Sequence, residues 1–159
     1  MTIRKRLDDA AGKVCEAVIP IKHEFYLGKG KELAICTLSS IDLLQQISRS
    51  EIMERVAIAG RLLSENKGID AMIKYAIEHP ELRRIILCGK EVRGHRAGQA
   101  LLALARNGVD RDGRIVGAVG PYPILKSAGH AVNAFRSRIE ITDMTGTVDI
   151  NTLKSACCG

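Results

Sequence analysis

Short, nearly continuous apolar runs alternate with longer stretches whose apolar residues recur at helical spacing. From Leu33 onward the rhythm is strand, loop, helix. LAICTL, VAIAG, RRIILCG, RIVGAVG and IEITDM read as strands. SIDLLQQISRS, NKGIDAMIKYAIEHP, GHRAGQALLALARNG, SAGHAVNAFRSR and DINTLKSA read as helices. Their punctuation agrees: Ser39 or Ser40 stands where a cap is expected, Pro80 stops one helix, and Gly108 allows a left-handed end to another. Strands that are apolar throughout suit a parallel sheet covered on both faces. The expected fold is therefore α/β and Rossmann-like, with a mainly parallel sheet and helices on both faces. Residues 1–32 read as an entry segment, with a helix over Leu7–Val18 limited by Pro20 and a hairpin in EFYLGKGKELAICTL turning at Gly28 and Gly30. Residues 33–159 form the main α/β unit.

Composition narrows the class. The chain has 159 residues, 46% of them hydrophobic, which is enough for one well-filled core. Only 3% are aromatic and Trp is absent, so a base-stacking platform for single-stranded nucleic acid is excluded. The net charge of +6 is scattered rather than gathered in a stripe, and no nucleic-acid partner is expected. Cys15, Cys36, Cys88, Cys157 and Cys158 contain no C-x-x-C pair. Their odd number and the lack of a signal peptide point to a reducing cytoplasm. Cys36 and Cys88 lie in apolar strands and read as core thiols, whereas Cys157 and Cys158 fall at a terminus expected to fray. No apolar run is long enough to span a membrane.

In a doubly wound sheet, ligands bind outside the carboxyl ends of the strands. This rule selects the loops TLSS, GRLLSENKG, GKEVRGHRAG and GPYP, and the turn after IEITDM. The third is the richest: Gly89, Gly94 and Gly98 surround His95, which stands at the start of a helix. A neutral imidazole there suits a borderline transition metal, and a plain helix-end residue is the simpler reading. Thr37, Leu38 and Ser39 in the first loop are candidates to contact ligand amides. Ser64, Glu65, Asn66 and Gly68 in the second can bond amides or a phosphate, or serve as a cap. Gly117, Gly120, Pro121 and Pro123 make a wall poor in side chains, suited to a flat ligand or to a structural turn. His23, His79 and His130 are scattered and form no zinc site by spacing. There is no dinucleotide or Walker loop. Cys88 next to the His95 loop leaves a thiol nucleophile as an alternative.

Several separated motifs, AIAGRLLSENKGID, ILCGKEVRGHRAGQ, ARNGVDRDGRIVGAVG and IEITDMT, occur in an order that resembles one family, the A subunit of tetrahydromethanopterin S-methyltransferase, over roughly Leu33 to Thr152. The resemblance implies a cobalamin-type corrinoid held over the strand ends, with His95 as the lower axial ligand of cobalt and as the carrier's catalytic residue. It implies that Glu91, Gly94, Gly98 and Gln99 belong to the cofactor loop. It further implies methyl transfer from a tetrahydropterin through cobalt to a thiol such as coenzyme M. The chain would then be one component of a corrinoid-dependent methyltransferase, working with other methyltransferase subunits or separate methyltransferases. A cytoplasmic place follows, at the membrane surface if a complex holds it there. The family's membrane-complex member ends in a spanning helix, and this chain reads to Gly159 without one.

The motif H-x-x-G also resembles other cobalamin-binding domains, which carry Asp two residues before the histidine. Arg93 occupies that position here. Glu91 or a backbone carbonyl is left to orient the imidazole. The alternative to a carrier is a soluble α/β enzyme or regulatory domain of the same fold without corrinoid.

Overall fold

A computed structural model describes residues 25–159. The expected helix at Leu7–Val18, together with His23 and Cys15, lies outside these residues. Five strands form one mixed sheet: β1 (Phe25–Leu27), β2 (Leu33–Cys36), β3 (Val56–Gly60), β4 (Arg84–Leu87) and β5 (Glu140–Asp143). Among the described residues five α-helices accompany them: α1 (Ile41–Ser48), α2 (Lys67–Glu78), α3 (Ala97–Asn107), α4 (Gly129–Arg138) and α5 (Ile150–Cys157). A short 3-10 turn at Glu51–Glu54 leads into β3.

The strand order is β1-β3-β2-β4-β5. β3, β2, β4 and β5 run parallel, and β1 joins the edge antiparallel to β3. The expected hairpin between β1 and β2 is therefore absent: β3 lies between them. Close approach explains the glycines placed in that turn. A Cβ on Gly28 would lie 2.0 Å from the Val56 carbonyl oxygen, and one on Gly30 would lie 1.8 Å from that of Arg55. Both let the incoming chain rest against the start of β3. The sheet thus takes in part of the expected entry segment, through β1.

RIVGAVG is not a strand either. Only single bridges, Val109 to Ile115 and Arg114 to Ile124, mark the segment. Its glycines and the prolines at 121 and 123 break the ladder that its apolar residues suggest. β5 takes the position beside β4 instead.

The core divides into two layers because strand side chains alternate between faces. On one face Ala34, Cys36, Ile85 and Leu87 pack under α2, α3 and α4. On the other, Leu33, Ile35, Ile86 and Cys88 pack under α1 and α5. The helices thus cover both faces. Each fully buried Leu or Ile side chain contributes roughly 1.5–3 kcal/mol. The end of α5 is buried rather than frayed: Cys157 belongs to the second layer, and Arg84 donates to the Ala156 carbonyl at 2.6 Å and the Gly159 carbonyl at 3.2 Å.

From β2 the chain crosses to β3 on one side, and from β3 it returns past β2 to β4. The order reverses between β2 and β4, which is where a crevice is expected.

Candidate functional site

The reversal point is closed by the protein itself. Ser39 donates its backbone N–H (3.1 Å) and its hydroxyl (2.7 Å) to the Lys90 carbonyl, and Ser40 Oγ accepts from the Lys90 N–H at 2.8 Å. Ser40 holds the cap position of α1, but its side chain makes no capping bond. Thr37 and Leu38 are fully buried. Thr37 Oγ1 donates to the Gly60 carbonyl at 3.4 Å. Leu38, with φ of +50°, tucks its side chain against the position of Gly98. The first loop is therefore a buried joint, not an open wall.

The loop after β4 carries the exposed chemistry. Glu91 folds back onto the start of α3. Its carboxylate accepts from the backbone N–H groups of Val92 (2.7 Å), Gly98 (3.0 Å) and Gln99 (2.8 Å). Helix-start donors that would otherwise attract an external anion are taken up by a side chain of this chain. Gly98 is buried, and a Cβ there would meet Glu91 and Leu38 within 3.0 Å. Glu91 is thus committed to the helix and does not orient His95.

The carboxylate that does so comes from the loop after β3. Glu65 Oε2 lies 2.8 Å from His95 Nδ1. The Glu65 side chain is 1% exposed, whereas that of His95 is 53% exposed. The other oxygen, Oε1, accepts from the Tyr122 N–H at 2.9 Å. A carboxylate only accepts, so Nδ1 is the donor and the neutral ring keeps its lone pair on Nε2. Nothing among the described residues bonds Nε2. Glu65 stands in a loop that the sequence already singles out, between Ser64 and Asn66. The signal missing from the sequence is its partner, distant along the chain.

The glycine wall fits closely behind this pair. A Cβ on Gly120 would lie 2.3 Å from the His95 carbonyl oxygen and 3.1 Å from Glu65 Cγ. Side chains strap the wall down. Gln99 donates Nε2 to the Gly117 carbonyl at 2.9 Å and accepts from the Val119 N–H at 3.0 Å. Asn66 donates to the Tyr122 carbonyl at 3.1 Å while its Oδ1 accepts from Lys67 at the start of α2. Ser64 Oγ accepts from the Gly68 N–H at 2.8 Å, which shapes the turn into α2. Gly89 is buried at the base of the site, bonded to the turn after β5 through Thr147 and Gly146. Gly94, His95, Gly117 and Pro121 are exposed, and the space around Gly94 is open. Ser64, Asn66 and Gln99 reach the surface in part.

Other candidates fall away on physical grounds. Cys88 is fully buried, its thiol hydrogen-bonded to the Cys36 carbonyl at 3.4 Å, and burial pushes it up to about 12. Such a thiol is no nucleophile. His79 caps the end of α2, with Nδ1 2.8 Å from the Tyr75 carbonyl. Among the described residues no cluster of three or more His, Cys, Asp or Glu side chains is placed to hold a metal ion. A cavity of about 590 Å³ opens between β1 and α2, but neither His95 nor Glu65 lines it, so its size does not mark the chemistry.

The fold and site define a class: an α/β module that presents one exposed, carboxylate-supported imidazole beyond the strand ends. Comparison with known proteins makes the class specific. Residues 13–158 match the family described as the A subunit of tetrahydromethanopterin S-methyltransferase, and the chain belongs to that family. It is 37% identical over 139 residues to the A subunit of Methanocaldococcus jannaschii, covering 86% of this chain and 56% of the relative. Methanothermobacter thermautotrophicus has two A subunits that match. The one numbered 1 is 36% identical over 120 residues, covering 74% of this chain and 50% of the relative. The one numbered 2 is 37% identical over 119 residues, covering 74% and 62%. The chain spans between 50% and 62% of the length of these curated relatives. Among the described residues no helix is long and apolar enough to cross a membrane.

Proposed function

We propose that this chain is a corrinoid carrier, with His95 as the protein ligand below the cobalt of a cobalamin-type cofactor. The observation that carries the reading is the Glu65–His95 pair: Nδ1 is held at 2.8 Å by a buried carboxylate, and Nε2 of the half-exposed ring has no hydrogen-bond partner among the described residues. A cation bound wholly by protein needs several converging side chains. A corrinoid would bring most of its own metal ligands and would need a single donor from the protein, which His95 would supply.

When bound, the corrinoid supplies the cobalt centre that carries a methyl group between donor and acceptor. The chain's own residues do the rest. Glu65 fixes the tautomer and plane of His95 and leaves the Nε2 lone pair for a ligand. Gly94 keeps the approach clear, and the strapped segment from Gly117 to Pro121 offers a flat surface beside the imidazole. In this reading the methyl donor is a tetrahydropterin, the acceptor is a thiol such as coenzyme M, and partner methyltransferase subunits on the cytoplasmic side perform the two transfers.

The test is a visible-absorption titration of the purified protein with cobalamin. The expected result is retention at micromolar protein, with the spectral change of an imidazole replacing the cofactor's own base. That change should be lost in His95→Ala. Absence of retention by the unaltered protein would overturn the proposal.

A further inference from the structure

The turn that presents His95 is lined with cations that no other described residue answers. Lys90, Arg93 and Arg96 are exposed. Among the described residues none of their side chains makes a hydrogen bond or ion pair, although Lys29, Lys31, Lys74 and Lys154 all find carboxylates. Their position is also unfavourable in itself. Arg93 and Arg96 stand at the start of α3, the positive end of the helix dipole, where cations are disfavoured. Arg96 is in the left-handed conformation, with φ of +51°, which a side chain of its size rarely adopts. The carboxylates nearest in the site are engaged elsewhere, Glu91 with three backbone donors and Glu65 with His95 and Tyr122. Unanswered cations around one exposed imidazole form a surface suited to an anion arriving with the imidazole's ligand.

We propose that Arg93 and Arg96, with Lys90 beside them, bind the phosphodiester of the corrinoid's nucleotide tail. The proposal rests on the carrier reading and deepens it by naming the feature of the ligand that the rim selects. The chemistry is direct. If Nε2 of His95 takes the lower axial position, the tail's base is displaced from cobalt. Its phosphodiester remains tethered on the lower side of the ring, the side facing the surface that bears His95. Arginine is suited to such an oxyanion because its planar fork donates two parallel N–H bonds. The start of α3 cannot serve instead, since Glu91 already occupies its donors.

The experiment compares two corrinoids by equilibrium titration: cobalamin, which has the tail phosphate, and cobinamide, which lacks the phosphate and base. Unaltered protein, Arg93→Gln, Arg96→Gln and the double variant are each titrated at low and high salt, with Lys74→Gln on α2 as control. All substituted residues are exposed, and a thermal melt verifies folding. For the double variant the expected loss is about tenfold or more in cobalamin affinity, with little change for cobinamide. The salt dependence of cobalamin binding should fall with it. Equal effects on both corrinoids, or none on either, would overturn the rim proposal while leaving the carrier reading intact. If the unaltered protein binds neither corrinoid, the carrier reading fails and the rim proposal falls with it.

Discussion

At the scale of single residues, environment rather than residue type separates function from packing. His79 and His95 have the same ring. His79 spends Nδ1 on the carbonyl of its own helix, whereas His95 spends it on a buried carboxylate and keeps Nε2 without a hydrogen-bond partner among the described residues. Replacing Glu65 by Ala should remove the preference for the Nε2 lone pair. Nitrogen-15 NMR of the cofactor-free protein reads this directly: one dominant tautomer in the unaltered chain, a mixture in the variant. An unchanged tautomer in Glu65→Ala would show that the carboxylate does not orient the ring. The cysteines give a second residue-scale expectation. Burial raises the Cys36 and Cys88 thiols from 9.0 to about 12 in the folded state. The folded protein then holds thiol protons that the unfolded chain releases, so stability should decline as pH rises from about 9 towards about 12. Denaturant melts across that range check the sign. Alkylation near neutrality should modify Cys158, which is exposed, and spare Cys36 and Cys88.

At the scale of elements, helices and central strands are legible because each is encoded by a run of neighbouring residues. LAICTL, VAIAG and RRIILCG contain strands β2 to β4, and Pro80 and Gly108 mark helix ends as their chemistry requires. What escapes the sequence depends on contacts between distant segments. RIVGAVG has the apolar content of a strand, but Gly117 and the prolines that follow suit a strapped loop. EFYLGKGKELAICTL resembles a hairpin locally, yet β1 finds its partner in β3, beyond β2 in the chain. Arg93 holds the place of a supporting carboxylate, and nothing local to it shows that Glu65 supplies one from another loop. Glu91 illustrates the same limit, since only the folded turn reveals it as the cap of α3. Glu91→Ala strands three backbone donors and should cost about 1–3 kcal/mol. Thermal denaturation measures this loss, and a melt unchanged from the parent would contradict the capping role.

At the scale of the whole molecule, the architecture explains why the imidazole stands where it does. The reversal of strand order puts the loops after β2 and β4 side by side. Their hydrogen bonds through Ser39, Ser40 and Lys90 close the expected crevice. The next turn of chain is thereby lifted out over the strand ends, where the loop after β3 and the segment at Gly120 meet it from behind. The result is a ligand-presenting surface rather than an enclosed pocket. Such a surface leaves the imidazole accessible from outside, as the proposed carrier role requires.

The central claim is that His95 gives its Nε2 to cobalt. Electron paramagnetic resonance of the protein loaded with cobalamin and reduced to the Co(II) state tests this most directly, using protein made with nitrogen-15 in its histidine rings. The account predicts that the threefold splitting from one axial nitrogen-14 becomes a twofold splitting on labelling, and that the twofold splitting is absent from labelled His95→Ala. A splitting indifferent to the histidine label would contradict it.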